Sequence, residues 1–249
     1  MRALNMTLAA VLMSAFATAS ATDITVSAAA SLTNAFKEIG AAYEKEHAGD
    51  KVHFNFAASD PLVQQISKGA PVDVFASADQ EAMDKAESLK LLAPGTRRDF
   101  ATNSLVLIAP ANSKLALKGI ADLQQAAVTR VTMGNPASVP VGRYARQALE
   151  QAKLWGAVEP KAIFGTSVRQ SLDYVARGEV DAGFVYATDA IVQKDKVRVI
   201  ATVPTATPVS YPIAAIAAGP QPAAGRQFVD YVLAPAAQAI LARHGFGRP

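Results

Sequence analysis

Apolar positions along the chain alternate between two periods. Ile24-Thr-Val-Ser27 reads as a strand, and it is followed by Leu32, Ala35, Phe36, Ile39 and Tyr43, which share one face at helical spacing. Val52-His-Phe-Asn-Phe56 alternates as a second strand, and Leu62, Val63 and Ile66 open a second helix that ends near Gly69. Asp73-Val-Phe-Ala76 is a third strand, after which Asp79 stands where it can cap a helix carrying Met83 and Ala86. Three strand-to-helix steps in succession predict a parallel sheet wrapped by helices. Beyond Pro94-Gly95 the pattern restarts, with strands at 105–109, 130–133, 182–186 and 197–201. Helices are expected at 143–153 and at 168–177, the second closed by Gly178. Prolines then cluster at Pro204, Pro208 and Pro212 before a strand at 213–217 and helical segments from 225 to 243, divided at Pro235.

Breaker-rich stretches near 94–103 and 203–212 predict an α/β protein of two lobes crossed twice by the chain. Residues 22–103 and 213–249 would form lobe I and residues 104–212 lobe II, with the two crossover segments forming a hinge. Each lobe is expected to be a mostly parallel sheet flanked by helices. The cleft between them would lie at the C-terminal ends of the strands, where α/β folds bind ligands.

The first 21 residues stand outside this pattern. Arg2 supplies a short positive start, Met6 to Phe16 an apolar stretch, and Ala19-Ser20-Ala21 a small-residue cleavage site, the order of a secretory signal peptide. Export with no cysteine anywhere in 249 residues suits a periplasm, and it removes disulfide frameworks, thiolate metal sites, cysteine nucleophiles and lipid attachment to cysteine. The whole chain carries 24 Lys+Arg against 21 Asp+Glu, but these are scattered with no dense basic run, so nucleic acid is not expected as a partner. A monomer is expected.

The candidate chemistry lies in turns rather than in charged side chains. Ala29-Ala30-Ser31-Leu32, Ala57-Ala58-Ser59-Asp60-Pro61, Ser138-Val139-Pro140-Val141-Gly142 and Gly165-Thr166-Ser167-Val168 each put small or hydroxylic residues where a helix begins. A helix start has unpaired N–H groups and the positive end of the macrodipole, so several converging starts make an anion site without Lys or Arg. Ordinary N-capping accounts for any one of these turns; the combination across two lobes points to a ligand.

Four strings also carry a resemblance. Ser27-Ala-Ala-Ala-Ser-Leu-Thr-Asn-Ala35, Gly69-Ala-Pro-Val-Asp-Val-Phe-Ala-Ser-Ala-Asp79, Gly134-Asn-Pro-Ala-Ser-Val-Pro-Val-Gly-Arg-Tyr144 and Gly183-Phe-Val-Tyr-Ala-Thr-Asp189 resemble, in order over about residues 22–247, the periplasmic molybdate-binding proteins of ABC transporters. The resemblance implies a two-lobed periplasmic binding protein fold that closes on a tetrahedral oxyanion and delivers it to an inner-membrane ABC permease. Carried over by residue, it implies hydroxyl and backbone donors at Ser31 and Ser59, backbone N–H donors at Val141 and Val168, and the phenol of Tyr186. These would be donors to the oxyanion's oxygens rather than ligands of the metal itself, and no cofactor is implied. The departure is Asp60, a carboxylate where the family more often has a hydroxyl, unwelcome in an anion site unless it points out of the cleft.

Molybdate is a fully deprotonated dianion at neutral pH, so a cage of donors with no acceptor suits it, whereas monohydrogen phosphate needs an acceptor for its proton. Tungstate matches molybdate in charge and size and is expected to bind equally. Sulfate must be rejected by the size of the cage. Another tetrahedral oxyanion, phosphate or sulfate, is the alternative ligand. A small hydrolase is a weaker alternative, because Ser31 and Ser59 lack an evident base: His47, His53 and His244 lie outside the four turns, and no G-x-S-x-G, HExxH or P-loop string occurs. An enzyme is therefore not expected, nor is any catalytic residue. Arg143 and Arg169, each shortly after a proposed backbone donor, stand where they could steer an anion but read more simply as solvated surface residues, and Asp189 reads as a helix cap.

Overall fold

The structure is a computed structural model and describes residues 21–249. The expected signal peptide, apart from Ala21, lies outside the described residues. The chain runs β1 (Asp23–Ala29), α1 (Thr33–Glu46), β2 (Lys51–Ala57), α2 (Ser59–Ser67), β3 (Val74–Ala76), α3 (Gln80–Ser88) and β4 (Arg98–Asn103). It continues through β5 (Leu105–Pro110), β6 (Val131–Gly134), α4 (Pro140–Gln151), α5 (Trp155–Val158), β7 (Ala162–Gly165), α6 (Val168–Ala176), β8 (Ala182–Tyr186), α7 (Ala187–Val192) and β9 (Val197–Val203). It closes with β10 (Val209–Ala215), α8 (Pro222–Leu233) and α9 (Pro235–Arg243). The stripe expected on α1 is the buried one, with Ala35, Phe36, Ile39 and Tyr43 packed inward, and Asp79 caps α3 by accepting from Ala82 N–H at 3.1 Å.

Two five-stranded sheets result, in the orders β2-β1-β3-β10-β4 and β7-β6-β8-β5-β9. Both are mixed rather than mostly parallel. In each, three strands that lead into helices pair in parallel, β1 with β2 and β3, and β6 with β7 and β8. The strands next to the crossings join them antiparallel, β10 on β3 and β4, and β5 on β8 and β9. A parallel neighbour needs a long crossover, whereas a strand arriving from the other sheet is free to pair either way.

The chain leaves the first sheet at Ser104, a single residue between β4 and β5. The stretch near 94–103, expected as a linker, thus holds a strand whose middle residues Phe100 and Ala101 are fully buried. The return falls between Val203 and Val209, so residues 209–212 stand in the first sheet, ahead of the boundary expected at 213. Pro212 does not mark the end of the crossing: it sits where the β10–β4 register shifts, a bulge that tolerates a residue without an N–H. The last segment is stitched back by Asp73, whose buried carboxylate accepts from Thr25 N–H at 2.8 Å and Gln221 N–H at 2.6 Å. Among the described residues no helix is long and apolar enough to cross a membrane.

Candidate functional site

Where the C-terminal ends of the parallel strands of both sheets meet, the five residues singled out in the sequence line one small cavity: Ser31, Ser59, Val141, Val168 and Tyr186, with Ala29, Ala30, Ala58, Ala78, Val139 and Pro140. Its volume is about 10 Å³, near the lower limit for one ordered water, so the walls must part to admit anything larger. Ser31, Ser59, Val141, Val168 and Tyr186 are all almost fully buried.

Local sequence explains how each wall is made. Ser59 is the first residue of α2, and Val168 the first of α6, where Ser167 caps the helix by accepting from Gln170 N–H at 3.3 Å. In α4 the first position is Pro140, which has no N–H, so Val141 offers the first backbone donor of that helix. Ser31 lies in a short 3-10 turn, Ala30–Leu32, that runs into α1.

The hydroxyls are already engaged. Ser59 Oγ accepts from Ala78 N–H at 3.1 Å, Tyr186 donates across the cleft to the Ala78 carbonyl at 3.2 Å, and Ser31 Oγ lies 3.1 Å from the Tyr211 hydroxyl. Burial pushes the Tyr186 phenol well above its ordinary pKa, so it remains a donor. Ala78 was missed in the sequence. It follows β3, a third strand end in the first sheet, and that position was the available signal.

Asp60 belongs to the second position of α2 but does not enter the cavity; its carboxylate faces the other way. Its Oδ2 is 2.8 Å from Arg143 Nη2 and its Oδ1 is 3.6 Å from Lys85 Nζ. Arg143, from α4, also grips Asp79 Oδ2 through Nε at 2.9 Å and Nη2 at 2.6 Å, with Glu81 at 3.3 Å. It is therefore not a solvated surface residue: its side chain is 10% exposed and ties lobe II to two buried carboxylates of lobe I. Desolvation raises the pKa of Asp79 even with the guanidinium beside it, so that carboxylate depends on its partner to stay charged.

Arg169 forms a second tie. It donates to Asp189 at 2.6 Å within its own lobe, and across the cleft to Asn34 Oδ1 at 2.9 Å and the Ser31 carbonyl at 3.3 Å. Asp189 does not hold the cap position: it is the third residue of α7, whose N-cap is Tyr186, and it is fully buried with one oxygen lacking a hydrogen-bond partner. Burial lifts its pKa from 3.8 to about 6, against the pull of Arg169. A carboxylate raised on folding favours the folded state in its protonated form, so its contribution to stability falls as pH rises from about 4 to about 6. The melting temperature of Asp189→Asn relative to wild type should therefore climb across that interval. A difference that stays flat with pH would show that Asp189 ionises as freely when folded as when unfolded.

A larger, open cavity of about 500 Å³ lies on the far side of Arg143, lined by Asp79, Glu81 and Asp99 among others. Its charge has the wrong sign for an anion.

Two sheets joined by two crossings, with helix starts from each facing one buried cavity, define the two-lobed architecture of a solute-binding protein. Residues 24–247 match the family described as bacterial extracellular solute-binding protein, and the chain belongs to that family. It is 39% identical over 231 residues to the molybdate-binding protein ModA of Escherichia coli (strain K12), covering 90% of this chain and 88% of that one. It is 36% identical over 236 residues to ModA of Haemophilus influenzae, covering 93% and 92% respectively. In structure it is similar to the periplasmic molybdate-binding protein of Azotobacter vinelandii, with a TM-score of 0.80 at 24% identity over 91% of this chain and 99% of that chain, a likeness of fold.

Proposed function

We propose that this chain is a periplasmic carrier that captures molybdate, and equally tungstate, between its lobes and delivers it to an inner-membrane ABC permease. The observation that carries the reading is a buried cavity bordered by helix starts from both lobes and by three hydroxyl side chains, with no carboxylate turned into it. Ser31 and Ser59 donate from lobe I, Val141 and Val168 donate backbone N–H groups from lobe II, and Tyr186 exchanges the Ala78 carbonyl for an anion oxygen. Hydrogen bonds to a charged partner are worth roughly 1.5–3 kcal/mol each, so a set of them offsets the desolvation of a dianion. The ModA relatives support this choice of oxyanion.

Phosphate is disfavoured because Asp60, the carboxylate at the start of α2 that could accept its proton, is paired with Arg143 and turned away from the cavity. A hydrolase is disfavoured because no histidine lines the cavity. No cofactor is required for a carrier, whose ligand is the oxyanion itself.

Parallel calorimetric titrations with molybdate, tungstate, sulfate and phosphate test the proposal, with a rise in melting temperature on adding molybdate as the quick form. Stabilisation by phosphate but not by molybdate or tungstate would overturn it. Ser59→Ala should weaken molybdate binding by about 1–3 kcal/mol, while His244→Ala, whose ring pairs with Glu38, should leave it unchanged. Equal losses in both variants would place the ligand elsewhere.

A further inference from the structure

A hydroxyl that donates must have its hydrogen aimed as well as its oxygen placed. Ser31 Oγ and the Tyr211 hydroxyl are 3.1 Å apart and buried, and from that contact alone either oxygen could donate. The direction is decided one residue further out. Ser104 N–H donates to Asn103 Oδ1 at 2.9 Å, which fixes the amide so that its NH₂ end faces Thr188 Oγ1 at 2.9 Å and the Tyr211 hydroxyl at 3.2 Å. An amide NH₂ only donates. Tyr211 must therefore accept from Asn103, and its own hydrogen has a single acceptor among the described residues, Ser31 Oγ. Burial against Phe100, Tyr186 and Phe246 holds the ring still and raises the phenol's pKa well above ordinary, so that hydrogen is always present. Ser31 cannot point its hydrogen back along a line already occupied by another. That hydrogen is left to the cavity.

We propose that Asn103 and Tyr211 are positioning residues that lock the Ser31 hydroxyl as a donor toward the bound anion, and so select fully deprotonated oxyanions over singly protonated ones. The proposal rests on the molybdate reading of the site. A serine free to rotate accommodates a protonated oxyanion by turning its hydrogen outward and offering a lone pair inward. The relay removes that option. It begins at Asn103, the last residue before the chain crosses to the second sheet, and passes through Tyr211 on the strand that returns, so the polarity of the site is set at the two crossings.

The test is competition of inorganic phosphate against molybdate at neutral pH, measured by calorimetry on wild type, Tyr211→Phe and Asn103→Asp. Monohydrogen phosphate and molybdate are both dianions, so any uniform change in charge near the site cancels in the ratio of their affinities. Tyr211→Phe frees the Ser31 hydroxyl and should reduce the molybdate preference by about tenfold. Asn103→Asp supplies an acceptor where there was a donor, draws the phenol hydrogen away and reverses the relay; the preference should fall further, on the order of 100-fold. In a Ser31→Ala background neither change should move the ratio. A ratio unchanged in the folded Tyr211→Phe variant, or shifted equally without Ser31, overturns the relay while the function stands. Failure of wild type to bind molybdate overturns both. If Asn103→Asp does not fold, Tyr211→Phe with and without Ser31 decides the matter alone.

Discussion

Gly142→Ala should abolish measurable molybdate binding and lower the melting temperature. Gly142 is the third residue of α4, directly after the proposed donor Val141. A Cβ added there would lie 1.9 Å from the Gly134 carbonyl oxygen and 2.6 Å from its carbon. Both are main-chain atoms at the end of β6, so no side-chain rotation relieves the clash. The start of α4 has to back away by about an ångström, carrying the Val141 N–H and Arg143 with it, and overpacking of this kind costs about 1–3 kcal/mol of stability or more. Gly156→Ala is the control, since nothing lies within 4 Å of a Cβ at that position. Binding by Gly142→Ala within twofold of wild type would mean that the helix start is not part of the cage.

Arg143→Ala should weaken molybdate binding by on the order of 100-fold, chiefly through faster release. Removing one partner from a buried ion pair typically costs 3–5 kcal/mol because the other charge is left uncompensated, and here two carboxylates, Asp60 and Asp79, lose the guanidinium together. In an open protein both carboxylates regain water, so the penalty falls on the closed state. Arg143→Lys should recover only part of the loss, because an ammonium cannot span both carboxylates as the planar fork does. If Arg143 acted merely by attracting anions from solution, the variant would change the association rate, and salt would erase the difference. Stopped-flow rates at low and high salt separate the two. A defect confined to association would sink the interlobe tie.

Much of the molecule was legible in the chain because the relevant forces act locally. The stripe through Phe36, Ile39 and Tyr43, the strand at 182–186 and the cap at Asp79 are each marked by a pattern only a few residues long, and the structure contains all three. The short helices α5 and α7 and two strands, β7 and β4, leave no such pattern. β7 is a short edge strand whose Ile163 and Phe164 are exposed, so it lacks the alternation that marks a half-buried strand. β4 begins three residues after the Pro94-Gly95 turn and falls within the stretch expected as a linker. Arg143 and Arg169 were misjudged for a different reason: helical periodicity shows which face a residue occupies, but not that another lobe will close over that face.

The sequence by itself therefore determined the two α/β units and the helix starts that border the site, since small residues, hydroxyls and Pro140 act through backbone groups within a turn or two. Only the tertiary structure decided what those starts are tied to. Asp79 and Arg143 are 64 residues apart, Asn103 and Tyr211 108, and Ser31 and Tyr211 180. Whether Asp60 spoils an anion site or helps to close it, and which way the Ser31 hydrogen points, depend on partners that only folding brings within 4 Å. No local pattern encodes them, because hydrogen-bond direction and ion pairing are properties of the packed interface rather than of either segment alone.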